Sequence, residues 1–219
     1  MSRNADNQRI AKNTLLLYFR MLFTMAVSLY TSRVVLNALG VEDFGIYNVV
    51  GGIVVMLSFL NGAMAGATQR FLNIELGRKD EKQLKKVFST SLIIHIGVSI
   101  VVLLLAETIG LWFLNTCMNI SENRMHAANW VYQYSVAAFI VSVISVPYNA
   151  TIIAHEKMSA FAYISILEVI LKLAIVFILI VAPFDKLILY AFLIFLVGVI
   201  IRVVYGIYCK RHFLECKLI

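Results

Sequence analysis

Six apolar blocks, each about twenty residues long, follow one another along the chain with short polar segments between them. A block of this length can cross a bilayer as a helix, and it must be helical because lipid offers no partner to free backbone N–H and C=O groups. The sequence therefore predicts an all-α integral membrane protein, a bundle of six transmembrane helices. The predicted crossings are residues 14–36, 46–64, 92–112, 131–154, 160–182 and 187–208.

The composition supports lipid as part of the solvent of this chain. Hydrophobic residues make up 61% of the 219 residues and charged residues only 14%, whereas a soluble domain is about half apolar and a quarter charged. A chain with so few charges cannot cover its own surface with polar groups. We therefore expect residues 1–219 to form a single membrane unit without a separate soluble domain.

The basic residues predict the orientation of this unit. Most of the 19 Lys and Arg residues lie at one set of helix ends, whereas Arg33, Arg124 and Lys186 lie at the opposite set. The positive-inside rule then places both termini in the cytoplasm. Because the basic residues sit in short loops between apolar blocks, we interpret the net charge of +7 as serving topology and contact with membrane lipid, not nucleic acid.

Charged and amide side chains inside the blocks are the candidate functional residues. Glu168 and Lys172 stand at i and i+4 in the fifth block, in an order that favours an ion pair. Such a pair either holds helices together or forms a substrate or ion site, the usual meaning of charge inside a membrane. Arg20 and Arg202 lie near cytoplasmic helix ends, where each could line a cavity or extend to the interface. Asn149 joins them as a candidate on the fourth block.

Small residues and a proline suggest how the helices pack. Gly62 and Gly66 have the small-xxx-small spacing that permits close helix contact, and Pro147 should kink the fourth helix. Polar stripes beside them fit either a packing face or a water-filled cavity. The chain has no Gly-rich phosphate loop, no His/Cys cluster and no Gly-x-Ser-x-Gly motif. We therefore expect no enzyme activity, no metal and no other cofactor.

The segment that joins the first two blocks has a familiar pattern. An Arg-containing helix leads through Leu-Gly into an acidic and aromatic turn, formed by Leu39, Gly40, Asp43, Phe44, Gly45 and Tyr47. This pattern resembles the polysaccharide-exporting branch of the MATE-like (MOP) superfamily, the Wzx-type O-antigen and capsule flippases. The run from Gln69 to Phe71 and the proline-containing fourth helix are similar to that family too.

The resemblance implies a fold, a substrate and a location. Family members move oligosaccharides carried on polyprenyl pyrophosphate across the bacterial inner membrane, through a cationic cavity between two six-helix lobes. This chain would be the amino-terminal lobe, and Arg20, Lys172 and Arg202 could face the cavity. Family members have about twelve to fourteen helices. An amino-terminal half, a truncated product and a half-size protein that pairs with a second lobe or a second copy all stay open.

Two other functions stay open. A cation-coupled small-molecule exporter of the same superfamily would need a buried carboxylate, for which Glu168 is the deep candidate. The scarcity of carboxylates within the blocks favours the flippase. A non-transporting accessory protein of a polysaccharide synthesis complex would need no cavity at all.

Overall fold

The computed structural model describes the backbone of residues 2–216 and the side chains of residue 11 and residues 13–216. Over that range the regular structure is helical throughout, which confirms the all-α prediction. The helices are α1 (Ser2–Val55), α2 (Ser58–Arg78), α3 (Glu81–Leu105), α4 (Leu111–Cys117), α5 (Glu122–Ala154), α6 (Met158–Val181) and α7 (Lys186–His212). A π-helical turn (Ala106–Gly110) joins α3 to α4, and a 3-10 turn (Leu214–Cys216) follows α7.

Five helical segments of the described chain are long and apolar enough to cross a membrane. They are Asn13–Arg78, Glu81–Cys117, Glu122–Ala154, Met158–Val181 and Lys186–His212. The count of six helices from the sequence is therefore not confirmed. The first segment has 66 residues and contains the first two predicted crossings, because helical structure continues on both sides of Gly40, where the sequence predicted a loop.

Gly40 reverses the direction of this first segment. Its φ of 81° and ψ of 169° lie in a region that only glycine occupies readily, because a Cβ would clash there. Arg20, before Gly40, and Gly62, after it, line the same cavity. In a straight helix at 1.5 Å per residue these two residues would be about 63 Å apart. The parts of the segment before and after Gly40 therefore run in opposite directions beside each other.

The connections between helices gather at two ends of the bundle. At one end, Arg124 bonds to both Asp43 and Asp185, so the turns at the starts of α5 and α7 meet the turn after Gly40. We call this the Asp43 end. At the other end, a hollow is lined by Asp80, His155 and Glu215, from three further connections. We call this the His155 end.

The basic segment at residues 77–86 is divided between two helices, because α2 continues to Arg78 and α3 begins at Glu81. The Asp80 carboxylate accepts hydrogen bonds from the backbone N–H groups of Lys82 and Gln83, each at 3.0 Å. Such an N-cap starts a new helix at once, so this segment is a tight turn between two crossing helices.

Large apolar side chains cover much of the outer surface. Leu15, Leu22, Phe59 and Val181 are each more than three-fifths exposed, whereas soluble monomers rarely expose wide apolar patches. Inside, one apolar core packs α5 and α7 against α1 near the Asp43 end, and a second core lies near the His155 end. An apolar exterior around several long apolar helices is the arrangement of a multi-pass membrane protein.

Candidate functional site

Two adjoining hollows among the helices form a polar cavity. The Asn61 chamber, about 480 Å³, lies among α1, α2, α5, α6 and α7, and the Lys172 chamber, about 330 Å³, lies between α1 and α6. Arg20, Ser165 and Glu168 line both chambers. The other polar residues of the lining are Thr24, Ser28, Thr31, Asn61, Ser142, Ser145, Asn149, Lys172 and Tyr205.

Arg20 is the cation that both chambers share. Its Nη1 donates a hydrogen bond to the Ser165 hydroxyl at 3.2 Å, and its guanidinium carbon lies 4.6 Å from the centre of the Phe161 ring. No carboxylate of the described residues forms an ion pair with it. An aromatic face and a hydroxyl orient a guanidinium without neutralising it. Arg20 therefore keeps its charge available in the cavity.

Glu168 and Lys172 form the ion pair that their spacing predicted. The Lys172 ammonium donates to the Glu168 carboxylate at 2.6 Å. Their side chains are 37% and 42% exposed, so the pair lies at the cavity surface and not in a closed helix interface. The two charges compensate each other, which leaves Arg20 as the excess charge of the cavity lining.

Buried polar atoms without a partner concentrate in this cavity. In the described part of the chain six buried side-chain N and O atoms lack a hydrogen bond, and four of them belong to cavity residues: Arg20 Nε, Thr31 Oγ1, Asn61 Oδ1 and Asn149 Oδ1. Buried polar groups are almost always hydrogen-bonded in proteins. The four atoms comprise a cationic donor, two amide acceptors and a hydroxyl. The cavity lining therefore combines an uncompensated cation with amide and hydroxyl groups whose hydrogen-bonding capacity is not fully used by the described residues.

The structure brings four of the five predicted cavity residues together. Arg20, Asn149 and Glu168 line the Asn61 chamber, and Lys172 lines the adjoining one. Arg202 lines neither chamber. Its guanidinium carbon lies 3.9 Å from the centre of the Tyr148 ring of α5. The ring face stabilises the cation at this contact between α7 and α5.

The predicted packing residues have different surroundings. A Cβ added to Gly62 or Gly66 would meet no atom within 4 Å, so neither glycine makes a close contact with another described part of the chain. Both are exposed on α2, and Gly62 lines the Asn61 chamber. Packing of another helix against Gly62 and Gly66 stays a prediction. Pro147 is buried in α5, which continues through it to Ala154, and the kink stays a prediction.

Sequence reasoning missed several lining residues. Phe161 and Ser165 stand one turn apart on α6 and continue the stripe of Glu168 and Lys172, so helical spacing could have found them. Asn61 is different. Its amide donates to the Ser142 hydroxyl of α5 at 3.1 Å. This contact depends on how α2 packs against α5, which helical spacing alone does not reveal.

The sequence matches a known family along nearly its whole length. The model of a family described as polysaccharide biosynthesis protein covers residues 10–218. The chain belongs to this polysaccharide biosynthesis family. None of the curated proteins compared with it matches.

A solved structure shares the fold of this family member. It is described as the outward-facing conformation of a multidrug resistance MATE family transporter of the MOP superfamily. The TM-score is 0.69 at 17% sequence identity, over 94% of this chain and 46% of the solved chain. This chain thus spans about half the length of that transporter. The predicted resemblance is thus confirmed by the match to the polysaccharide biosynthesis family and by the shared fold of a MATE transporter.

The motif that carried this resemblance has a structural explanation at the Asp43 end. Gly40 makes the reversal, and the Asp43 carboxylate accepts two hydrogen bonds from Arg124, one of them from Nε at 2.8 Å. Tyr47 packs edge-on against Tyr190 of α7, with ring centres 4.7 Å apart. In this family member the motif residues therefore fix the turn and join it to α5 and α7.

Proposed function

We propose that this chain is one lobe of a transporter that moves a lipid-linked oligosaccharide across the bacterial inner membrane during polysaccharide biosynthesis. The family is that of polysaccharide biosynthesis proteins, and the fold is that of a MATE transporter. Because the chain aligns with 46% of that transporter, a second lobe or a second copy of the chain would complete the path.

The proposed lobe crosses the membrane six times, with both termini in the cytoplasm. The reversal at Gly40 supports counting the first long segment as two crossings. The His155 end has far more basic residues than the Asp43 end, which supports placing it in the cytoplasm by the positive-inside rule. Its described basic residues are Arg78, Lys79, Lys82, Lys85, Lys86, Lys157, Lys210 and Arg211.

The polar cavity would hold the pyrophosphate and the first sugars of the substrate. The single observation that carries this proposal is the group of unpartnered polar atoms in the lining. Arg20 supplies a guanidinium without a carboxylate partner, which suits anionic phosphate oxygens. The free amide oxygens of Asn61 and Asn149 suit the hydroxyl groups of a sugar.

A cation-coupled small-molecule exporter is the weaker alternative for the same cavity. Coupling would require a carboxylate that exchanges its cation with solvent, and Glu168 lines both chambers. However, Glu168 already holds the ammonium of Lys172 at 2.6 Å. The lining therefore has a net positive charge, which favours an anionic substrate over a cationic drug.

The test is loss of glycan export after Arg20→Met, with Arg202→Met as the matched control. Both variants remove one arginine that contacts an aromatic ring, but only Arg20 lines the cavity. The gene for each variant would replace the native gene. Surface polysaccharide would then be measured at matched abundance of the protein in the membrane. We expect export to fall at least tenfold for Arg20→Met and to persist for Arg202→Met. Normal export by Arg20→Met at normal abundance would contradict the proposal.

A further inference from the structure

A second cavity lies between α2 and α3, on a different face of α2 from the polar cavity. Its volume is about 400 Å³, within the range of small-molecule binding sites. Its lining is mostly apolar, and the apolar side chains that contribute to it are Met64, Ala67, Phe71, Val87 and Ile94. We call it the α2/α3 groove. In contrast to the polar cavity, it offers mainly carbon to an occupant.

The groove is open toward the outside of the bundle. Phe71 and Ile94 on its rim are 59% and 54% exposed. The lining runs along α3 from Gln83 to His95, about 18 Å at 1.5 Å per residue. In a membrane protein, an elongated apolar groove on an exposed face lies beside lipid chains.

The mouth of the groove is cationic. Gln83 and Lys86, both exposed, line it on the first two turns of α3, close to the His155 end. Lys86 forms no ion pair with any described residue. Lys82 and Lys85 are on the same turns, so the surface near the mouth is basic. A headgroup phosphate beside Lys86 would therefore be attracted by its charge and by that of its neighbours.

The floor of the groove is largely satisfied within the protein. The hydroxyls of Thr68 and Ser91 bond to each other at 2.9 Å, and His95 Nδ1 donates to the Ser91 carbonyl at 2.7 Å. His95 Nε2 alone has no partner there. An apolar chain would therefore lie along the outer wall of Phe71, Val87 and Ile94, and not against the floor.

We propose that the α2/α3 groove binds an anionic glycerophospholipid, with one acyl chain along the wall and the phosphate at Lys86. Carbon walls and a cationic mouth match the two parts of such a molecule. A zwitterionic lipid would gain the apolar contact with less of the electrostatic attraction. The inference requires only that the His155 end lies at a membrane face, and it holds whether or not the polar cavity transports an oligosaccharide.

The experiment measures lipid binding to the purified full-length chain by native mass spectrometry in detergent. The probes are phosphatidylglycerol, phosphatidylcholine and glycerol phosphate, which has no acyl chain. Lys86→Gln should weaken phosphatidylglycerol binding about fivefold, the equivalent of about 1 kcal/mol for one basic side chain near an anionic group. Ala67→Trp should weaken both lipids by blocking the groove. Lys82→Gln, a matched lysine outside the lining, should change binding less than twofold.

Three results would overturn the proposal. Unchanged lipid binding in both Ala67→Trp and a second blocking variant, Ile94→Trp, would show that the lipid binds elsewhere. Equal losses in Lys82→Gln and Lys86→Gln would assign the preference to the whole basic surface and not to this mouth. Glycerol phosphate binding as strongly as phosphatidylglycerol would indicate an anion site without an acyl chain.

Discussion

Replacing Asp43 by Asn should destabilise the protein more than the same replacement of Asp185. Both carboxylates accept hydrogen bonds from Arg124, and Asn keeps the shape of each side chain while removing its charge. The Asp43 side chain is 11% exposed and accepts two bonds from this arginine, whereas the Asp185 side chain is 35% exposed and accepts one from it, at 2.8 Å. Asp185 also caps α7 by accepting from the backbone N–H groups of Leu187 and Ile188, a role that Asn can take over. The two carboxylates therefore differ in burial and in the number of bonds to one cation.

The structure gives an expected magnitude for each change. Breaking a fully buried ion pair costs about 3–5 kcal/mol. Arg124 is 28% exposed and keeps Asp185 after the change, so we expect about 2 kcal/mol for Asp43→Asn, near the lower part of the range for charged hydrogen bonds. Solvent screens Asp185 more strongly, and Asn also serves as an N-cap for α7. For Asp185→Asn we expect about 0.5–1 kcal/mol.

Thermal unfolding in detergent, followed by tryptophan fluorescence, would test these values. For a chain of this size, 1 kcal/mol corresponds to about 2–4 °C in Tm. Asp43→Asn should therefore lower Tm by about 4–8 °C, and Asp185→Asn by less than about 4 °C. In a double-mutant cycle, Asp43→Asn and Arg124→Gln should be non-additive because they remove one interaction. Equal Tm losses for the two aspartates, or an additive cycle, would refute the reasoning.

Three further predictions concern the turn, the cavity and the topology. Gly40→Ala should destabilise the protein by about 1–3 kcal/mol, because alanine is strained at this φ and ψ; unchanged Tm would refute it. Glu168→Gln should reduce the amount of folded protein in the membrane more than Glu168→Gln with Lys172→Met, because the single change leaves an unpaired ammonium; the reverse order would contradict this. Reporter fusions after Asp80 should be cytoplasmic and those after Glu122 external. If both reported the same side of the membrane, the chain would not cross the membrane between these two residues as proposed.

The stripe on α6 shows what periodicity can predict. Glu168 and Lys172 are four residues apart on one helix, so their contact follows from local geometry alone. Arg20 lies on another helix, and its position inside an apolar block, near the cytoplasmic end, made it a candidate. Such residues can be found from sequence because a charge in a membrane segment requires water, a partner charge or a ligand.

Arg202 and Asn61 show where the sequence stops being informative. Both are polar residues in apolar helices, yet one packs on Tyr148 and the other lines the cavity. The difference depends on which face of each helix meets α5, and periodicity does not determine that rotation. The helix count stays unconfirmed for a related reason: Gly40 reverses the first segment while helical structure continues on both sides of it, so one long segment contains two predicted crossings.

The surroundings of Arg20 and Arg124 argue against a purely structural role for the cavity. Arg124 has two carboxylates within hydrogen-bond distance, whereas Arg20 has a hydroxyl and an aromatic ring. An uncompensated cation within a membrane is costly, and an accessory protein without a cavity function would gain nothing from it. The same lining leaves acceptors of Asn61 and Asn149 without partners. Uncompensated charge and unpaired acceptors in one cavity favour a site that is completed by a bound molecule.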